Sequence, residues 1–296
     1  MGKKRKKVKG WWMLAAGFVA GAALVLVALK FMGGLESPEP EAPRVSLPKP
    51  VEVAPPEIVT VPPAEAPPEM PVPSIVAPKP KLAIVIDDMG PDMKKLRDII
   101  AVGEPISIAV MPDTRFSKEV SNEAGSKGLD VLVHMPMEPK DPAGHDPGVA
   151  ALLVEMTPEE IAIRVEAGLK AVPGAIGLNN HMGSRFTEDE VKMRAVLKLM
   201  KQKGLIFLDS RTTSATVGGR LARELKVKSA ERNIFLDNKR EVAYIKGQLM
   251  KAARIARKRG KAVAIGHPYP ETIEALKEAL PGLQGVEIVR VSEVAE

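Results

Sequence analysis

The 296-residue chain has no cysteine, which excludes disulfides, zinc–thiolate sites and thiol nucleophiles. It also has no phosphate loop of the Walker type, no G-x-G-x-x-G, no H-E-x-x-H and no G-x-S-x-G, so the common signatures of nucleotide binding, helical zinc proteases and serine hydrolases are missing. Ser184 and Ser210 lack the local setting of an activated nucleophile. A real excess of positive charge is lacking too, despite a formal net charge of +6. Lys3, Lys4, Arg5, Lys6, Lys7 and Lys9 account for it, and the 37 basic residues that remain match the 37 acidic ones. A nucleic-acid partner is therefore not expected.

What is present divides the chain into unlike parts. Residues 1–10 form a basic tail, expected to be cytoplasmic. Trp11 to Leu29 is an apolar run without a charge, and as a helix it spans roughly 28 Å, about the thickness of a bilayer core. Tryptophans at its start suit the interface, and the basic flank suits the cytoplasmic side. No small-x-small site follows Leu29, so an uncleaved anchor over 11–32 is favoured over a removable signal peptide. This predicts a single-pass protein of the bacterial inner membrane with its remaining residues periplasmic or extracellular. Residues 33–80 read as a Pro/Glu-rich disordered linker, with 15 of the 27 prolines between 35 and 80. Such a stretch favours extended polyproline geometry at about 3.1 Å per residue.

From residue 81 the pattern alternates. Strands are expected near 82–87, 106–110, 130–134, 175–179, 205–209, 233–237, 262–266 and 286–290. Helices are expected near 91–102, 116–127, 157–172, 188–203, 240–259 and 270–280. Thr157-Pro158-Glu159-Glu160 and Thr187-Glu188-Asp189-Glu190 fit the capping box, with threonine as N-cap. Gly218-Gly219 could open a short helix in an otherwise ambiguous stretch. The fold class is α/β, a distorted or incomplete β/α barrel of seven to eight strands over 81–296.

Strand ends carry the chemistry. Leu82-Ala83-Ile84-Val85-Ile86 reads as a strand buried on both faces, and Asp87-Asp88 follows at once. Adjacent carboxylates repel unless a cation sits between them, although aspartate is also a common helix N-cap. His134, His181 and His267 each end an apolar run, and parallel α/β folds gather such ends on one rim. The acids and histidines should therefore meet, and a metal would explain why. Asp209, beside Arg211, and Asp237 also end apolar runs, Asp209 being the stronger candidate; an Asp209–Arg211 ion pair is the plain alternative. Asn180 and Arg185 share the His181 loop. His145 reads as a surface residue, and the basic run from Lys251 to Lys261 as a solvated helix face, with contact to anionic lipid or wall polymer a lesser alternative.

Ile86-Asp87-Asp88, His134-Met135-Pro136-Met137, Asn180-His181-Met182-Gly183-Ser184, Leu208-Asp209-Ser210-Arg211 and Ile265-Gly266-His267-Pro268 together resemble the divergent polysaccharide deacetylase family, over roughly residues 81–294. That family is similar to the NodB-type carbohydrate deacetylases, which have a distorted β/α barrel and a divalent metal. The resemblance implies Asp87 as catalytic base, His267 as catalytic acid and Asp88 as a metal ligand. His134 and His181, from separate strands, would replace the two ligand histidines that NodB-type proteins carry at H-x-x-x-H spacing, which this chain lacks. The arginine-proline motif on the fourth strand is also missing unless Arg185 replaces it. Asn180, Arg185, Asp209 and Arg211 are expected to border the substrate or support the site. The implied cofactor is a divalent metal, most simply Zn²⁺, and the implied partner is a cell-envelope saccharide.

Beyond the linker the aromatics are only Phe116, Phe186, Phe207, Phe235, Tyr244 and Tyr269. Phe207 and Phe235 are expected in the core, leaving Phe186 and Tyr269 beside the site, which suits a short saccharide better than a long one. The competing expectation is a catalytically weak or inactive barrel that binds an envelope component.

Overall fold

The computed structural model describes residues 78–296. The basic tail, the anchor and nearly all of the linker expected from sequence lie outside the described residues. Among the described residues no helix is long and apolar enough to cross a membrane.

Nine strands form one curled sheet in which every pairing is parallel. They are β1 (Lys81–Met89), β2 (Ser107–Val110), β3 (Val131–Met137), β4 (Gly177–Met182), β5 (Ile206–Asp209), β6 (Ser229–Glu231), β7 (Ile234–Phe235), β8 (Lys261–Gly266) and β9 (Glu287–Val289). Their order is β6-β5-β4-β3-β2-β1-β8-β7, with β9 added to the first residues of β1. Only Arg232 and Asn233 separate the two edge strands β6 and β7 in the chain. The Arg232 amide donates to Asp209 on one side, and the Asn233 amide to Val263 on the other. The result is a curled parallel half-barrel. The short β6 is the strand that hydrophobic patterning does not reveal, because Ser229-Ala230-Glu231 has no apolar run.

Among the described residues seven helices cover the outside: α1 (Met93–Ile100), α2 (Ser117–Ser126), α3 (Pro158–Ala171), α4 (Glu190–Lys203), α5 (Gly218–Leu225), α6 (Val242–Arg259) and α7 (Pro270–Ala279). The Thr157–Glu160 capping box of α3 is formed. At α4 the expected cap moves. Thr187 is buried in a 3₁₀ turn and donates its hydroxyl to Gly183 O, so Asp189 caps the helix through the Lys192 amide. The cap of α1 is Asp92, not Asp87 or Asp88. Pro136 lies within β3 and not in the following loop.

Strand alternation divides the core in two. Leu82, Ile84 and Ile86 of β1 pack with Phe207 and the helices. Ala83 and Val85 pack in the barrel interior with Leu132, Leu208, Val263 and Ile265. Each interior file continues at its carboxyl end into a polar residue: Val85 into Asp87, Leu132 into His134, Leu208 into Ser210, Ile265 into His267. The inner row of apolar side chains is thus the floor under a polar chamber.

Candidate metal centre and active site

Alternation alone would turn Asp87 inward and Asp88 outward. The pairing of β1 with β2 slips between Ile86 and Met89, and Asp88 takes φ 55°, a left-handed conformation costly for most residues but tolerated by aspartate. This kink brings both carboxylates to the chamber. Asp87 is buried and Asp88 half-buried.

Asp88 Oδ1 lies 3.2 Å from His134 Nε2 and 3.0 Å from His181 Nδ1, and the two nitrogens are 3.1 Å apart. In spite of these distances, Asp88 Oδ1 is buried and accepts no aligned hydrogen bond. Three ligand atoms converge on one another, as donors facing a common cation do, whereas a hydrogen-bonded trio would aim N–H groups at oxygen. The set of one carboxylate oxygen and two imidazole nitrogens fits a divalent transition metal with an open position.

Behind this trio stands Asn179, fully buried. Its Oδ1 faces His134 Nδ1 at 2.9 Å, and its Nδ2 donates to Asp87 Oδ1 at 2.8 Å and to Ser210 Oγ at 3.2 Å. Taking the proton on Nδ1, the Asn179 carbonyl leaves His134 Nε2 free as a ligand. Asn179 pairs directly with His134 across β3 and β4 and shares the inward face with His181, two residues on. Its neighbour Asn180 is the residue expected at the site from the sequence, whereas counting by twos from His181 identifies Asn179.

Charge follows this geometry. Burial pushes the Asp87 carboxyl up, against the pull of His134 and His267. Burial also opposes ionisation of Asp88, but the two adjacent imidazoles outweigh it and hold that carboxyl well below the usual range. For His134, burial favours the neutral ring, yet the charges of Asp87 and Asp88 win and raise it to about 9. A site without a cation therefore takes up protons in its place.

His267 approaches from β8, its Nε2 3.9 Å from Asp88 Oδ2. Its Nδ1 meets Asp237 Oδ1 at 2.9 Å, and its backbone amide donates to Asp237 Oδ2. Thr272 donates to the same oxygen at 2.9 Å. Burial alone would lower the pKa of His267, but the Asp237 hydrogen bond and charge raise it. The imidazole lies between two rings, stacked on Phe235 at 6.2 Å between centroids and tilted against Tyr269 at 5.5 Å. Two expectations exchange places here: Phe235 belongs to the site wall, and Phe186 is wholly in the core.

Other expected residues lie elsewhere. Asp209 continues the outward file of Phe207 and accepts from the Arg211 amide and the Thr216 hydroxyl. Arg211 directs its guanidinium to Glu231, so the Asp209–Arg211 ion pair, the plain alternative for Asp209, is not made. Asn180 points away from the chamber, donating to Met182 O and accepting from the Ser210 amide. Arg185 pairs with Glu138, whose other oxygen accepts from the Val154 amide. Asp209 and Asn180 face away from the chamber, and all four residues hold loops at its rim. His145 is exposed, near Asp141. Arg232, unremarked in the sequence, donates to Ser210 O and Arg211 O and lies over Phe235 at 3.8 Å. Its position between two edge strands left it no periodic signal.

Comparison with known proteins gives the family and the fold. A protein of Haemophilus influenzae described as uncharacterized is 41% identical over 203 residues, covering 69% of this chain and 72% of its own length. The uncharacterized protein YibQ of Escherichia coli is 37% identical over 205 residues, covering 69% of this chain and 63% of its own. The crystal structure of protein ATU2773 from Agrobacterium tumefaciens has a similar fold, with a TM-score of 0.70 at 23% identity over 74% of this chain and 90% of that one. Residues 84–295 match the family model described as divergent polysaccharide deacetylase, and the chain belongs to that family.

Proposed function

We propose that this protein is a metal-dependent deacetylase that hydrolyses N-acetyl or similar acyl groups of a cell-envelope saccharide, held at the bacterial inner membrane by residues 11–32. The observation that carries the reading is the convergence of His134 Nε2 and His181 Nδ1 on Asp88 Oδ1, a buried oxygen that accepts no aligned hydrogen bond, with Asp87 and His267 on either side. A divalent ion held by these three residues, zinc suiting the donor set best, supplies Lewis acidity toward the acyl oxygen and acidifies water.

The chain's own groups do the rest. Asp87, steadied by the Asn179 amide, takes a proton from the attacking water. Its burial raises its affinity for that proton, against the pull of His134 and His267. His267 gives a proton to the departing amine. Asp237 fixes the tautomer with hydrogen on Nδ1 and favours the charged ring, so the proton to be donated sits on Nε2, facing the chamber. Phe235 and Tyr269 flank that nitrogen and offer only a small stacking surface, consistent with a short saccharide. The uncharged run from Trp11 to Leu29 and the basic residues before it support tethering.

The test is acetate release by the metal-loaded full chain from N-acetylated peptidoglycan fragments. Asp87→Asn should lower the rate by about 10³ while metal stoichiometry stays unchanged. No acetate from any such fragment with the wild-type chain would instead favour an inactive barrel that binds an envelope component.

A further inference from the structure

The outer flank of α6 has a composition that the catalytic reading leaves unused. Its 18 residues include no Asp or Glu. Lys251, Arg254, Arg257, Lys258 and Arg259 are exposed and form no ion pair among the described residues. Cations in a last helical turn complement the helix dipole, which accounts for Arg257, Lys258 and Arg259. It does not account for Arg254 and Lys251, about one and two turns earlier. Between α6 and the turn after α7 runs a groove of about 600 Å³ whose floor includes Gly247, Ala279, Gly282 and Leu283. Met250 stands at its edge among the cations, 60% exposed.

The C-terminal end of this flank lies at a defined end of the domain. The Lys81 amide, where the chain enters β1, donates to Gly260 O at 2.8 Å, directly after Arg257-Lys258-Arg259. Entry point and basic helix end therefore adjoin. The candidate site lies at the other end of β8, six residues or roughly 20 Å away.

We propose that the outer flank of α6, with its groove against the turn after α7, docks on the anionic phospholipid headgroups of the bilayer to which the chain is tethered, with Met250 inserted among them. The proposal rests on the tethering read above. Lys251, Arg254 and Arg257, the three groove-lining cations without an ion pair among the described residues, match an anionic surface, and an exposed methionine over a small-residue floor suits a lipid interface better than a hydrated polyanion. Docking at the end where the linker enters would turn the chamber away from the bilayer, toward the envelope saccharide.

The chain's lack of cysteine makes the test clean, since Met250→Cys gives a single thiol. The full chain carrying a fluorophore there is reconstituted in nanodiscs of phosphatidylcholine with or without phosphatidylglycerol, together with headgroup-quencher lipid. Quenching should be severalfold in the anionic discs and weak in the neutral ones. It should fade toward 1 M salt, where the screening length falls to about 3 Å. Each cation near an anionic surface is worth roughly fivefold in partition, so Lys251→Glu with Arg254→Glu and Arg257→Glu should weaken docking at least about a hundredfold. A label at Val149→Cys, on the opposite rim, should stay unquenched. Equal quenching in both discs, or none at Met250 in chain that has incorporated, overturns the proposal. So does a label that responds to soluble polyphosphate but not to lipid, which would assign the flank to a polyanion. If the chain fails to incorporate, the tether reading falls, and quenching by added anionic vesicles then decides the docking by itself.

Discussion

Leu205-Ile206-Phe207-Leu208-Asp209 and Ile234-Phe235-Leu236-Asp237 read almost alike, an apolar run closed by an aspartate, and both end on the same rim. On β5, Phe207 and Asp209 share the outward file, so the carboxylate stitches the 211–216 loop to the strand. After β7, Phe235 and Asp237 share the inward file, so the carboxylate holds a histidine that faces the chamber. Two bulky aromatics differ in the same way, one packed under helices and one stacked on an imidazole. Residue type at a strand end thus says little until the face is known, and one apolar neighbour two residues back settles the face.

The largest expected effect separates the chamber from the β5 end by metal. Asp88→Ala should abolish stoichiometric zinc in the purified full chain, a loss well beyond the roughly 10–100-fold that removing an orienting partner such as Asn179 costs. Asp209→Ala should keep the metal and lose stability, by about 1–3 kcal/mol for the stranded Arg211 amide and Thr216 hydroxyl. Elemental analysis with denaturant unfolding reads both, and metal loss in the Asp209 variant would erase the distinction.

Much of this was legible beforehand. Among the described residues the apolar runs gave eight of the nine strands, most of them because a strand buried on both faces reads as a continuous apolar run, and the strand-end acids and histidines Asp87, Asp88, His134, His181 and His267 do meet in one chamber. What escaped depends on facts that a linear pattern does not carry. Asp88 reaches the chamber through a left-handed kink. Asn179 is distinguished from Asn180 only by parity, and Asp237 from Asp209 likewise. Arg232 and β6 sit where one extended segment changes partner strands, a feature of closure and not of local sequence.

A middle-sized effect tests the Asp237 half directly. Asp237→Asn should keep metal but lower the deacetylation rate by about 10²-fold, because the amide no longer enforces the Nδ1–H tautomer or supports the charged ring. The limb of the pH–rate profile that reports a protonated acid should move to lower pH, since the Asp237 charge and hydrogen bond raise the His267 pKa. A purely structural role would leave that limb in place. Asp209→Asn should leave it in place too, and a shift there would show that the two aspartates are not as different as their faces imply.

The smallest effect is on the stability of the metal-free protein. The folded-state pKa of His134 is raised to about 9, from about 6.5 in an unfolded chain. A raised pKa means the folded state binds the proton more tightly, so its stabilisation is complete below about pH 6.5 and is lost as pH climbs through about 9. Asp87, also raised, acts in the same direction. Metal-free protein should therefore unfold at a lower temperature near pH 9 than near pH 6. Added zinc should reverse the trend, because the metal displaces the proton on His134 and binds more tightly as pH rises. Thermal unfolding with chelator and with zinc at both pH values measures this. His134→Asn should flatten both slopes, which would place the proton switch at the imidazole where the inward files meet.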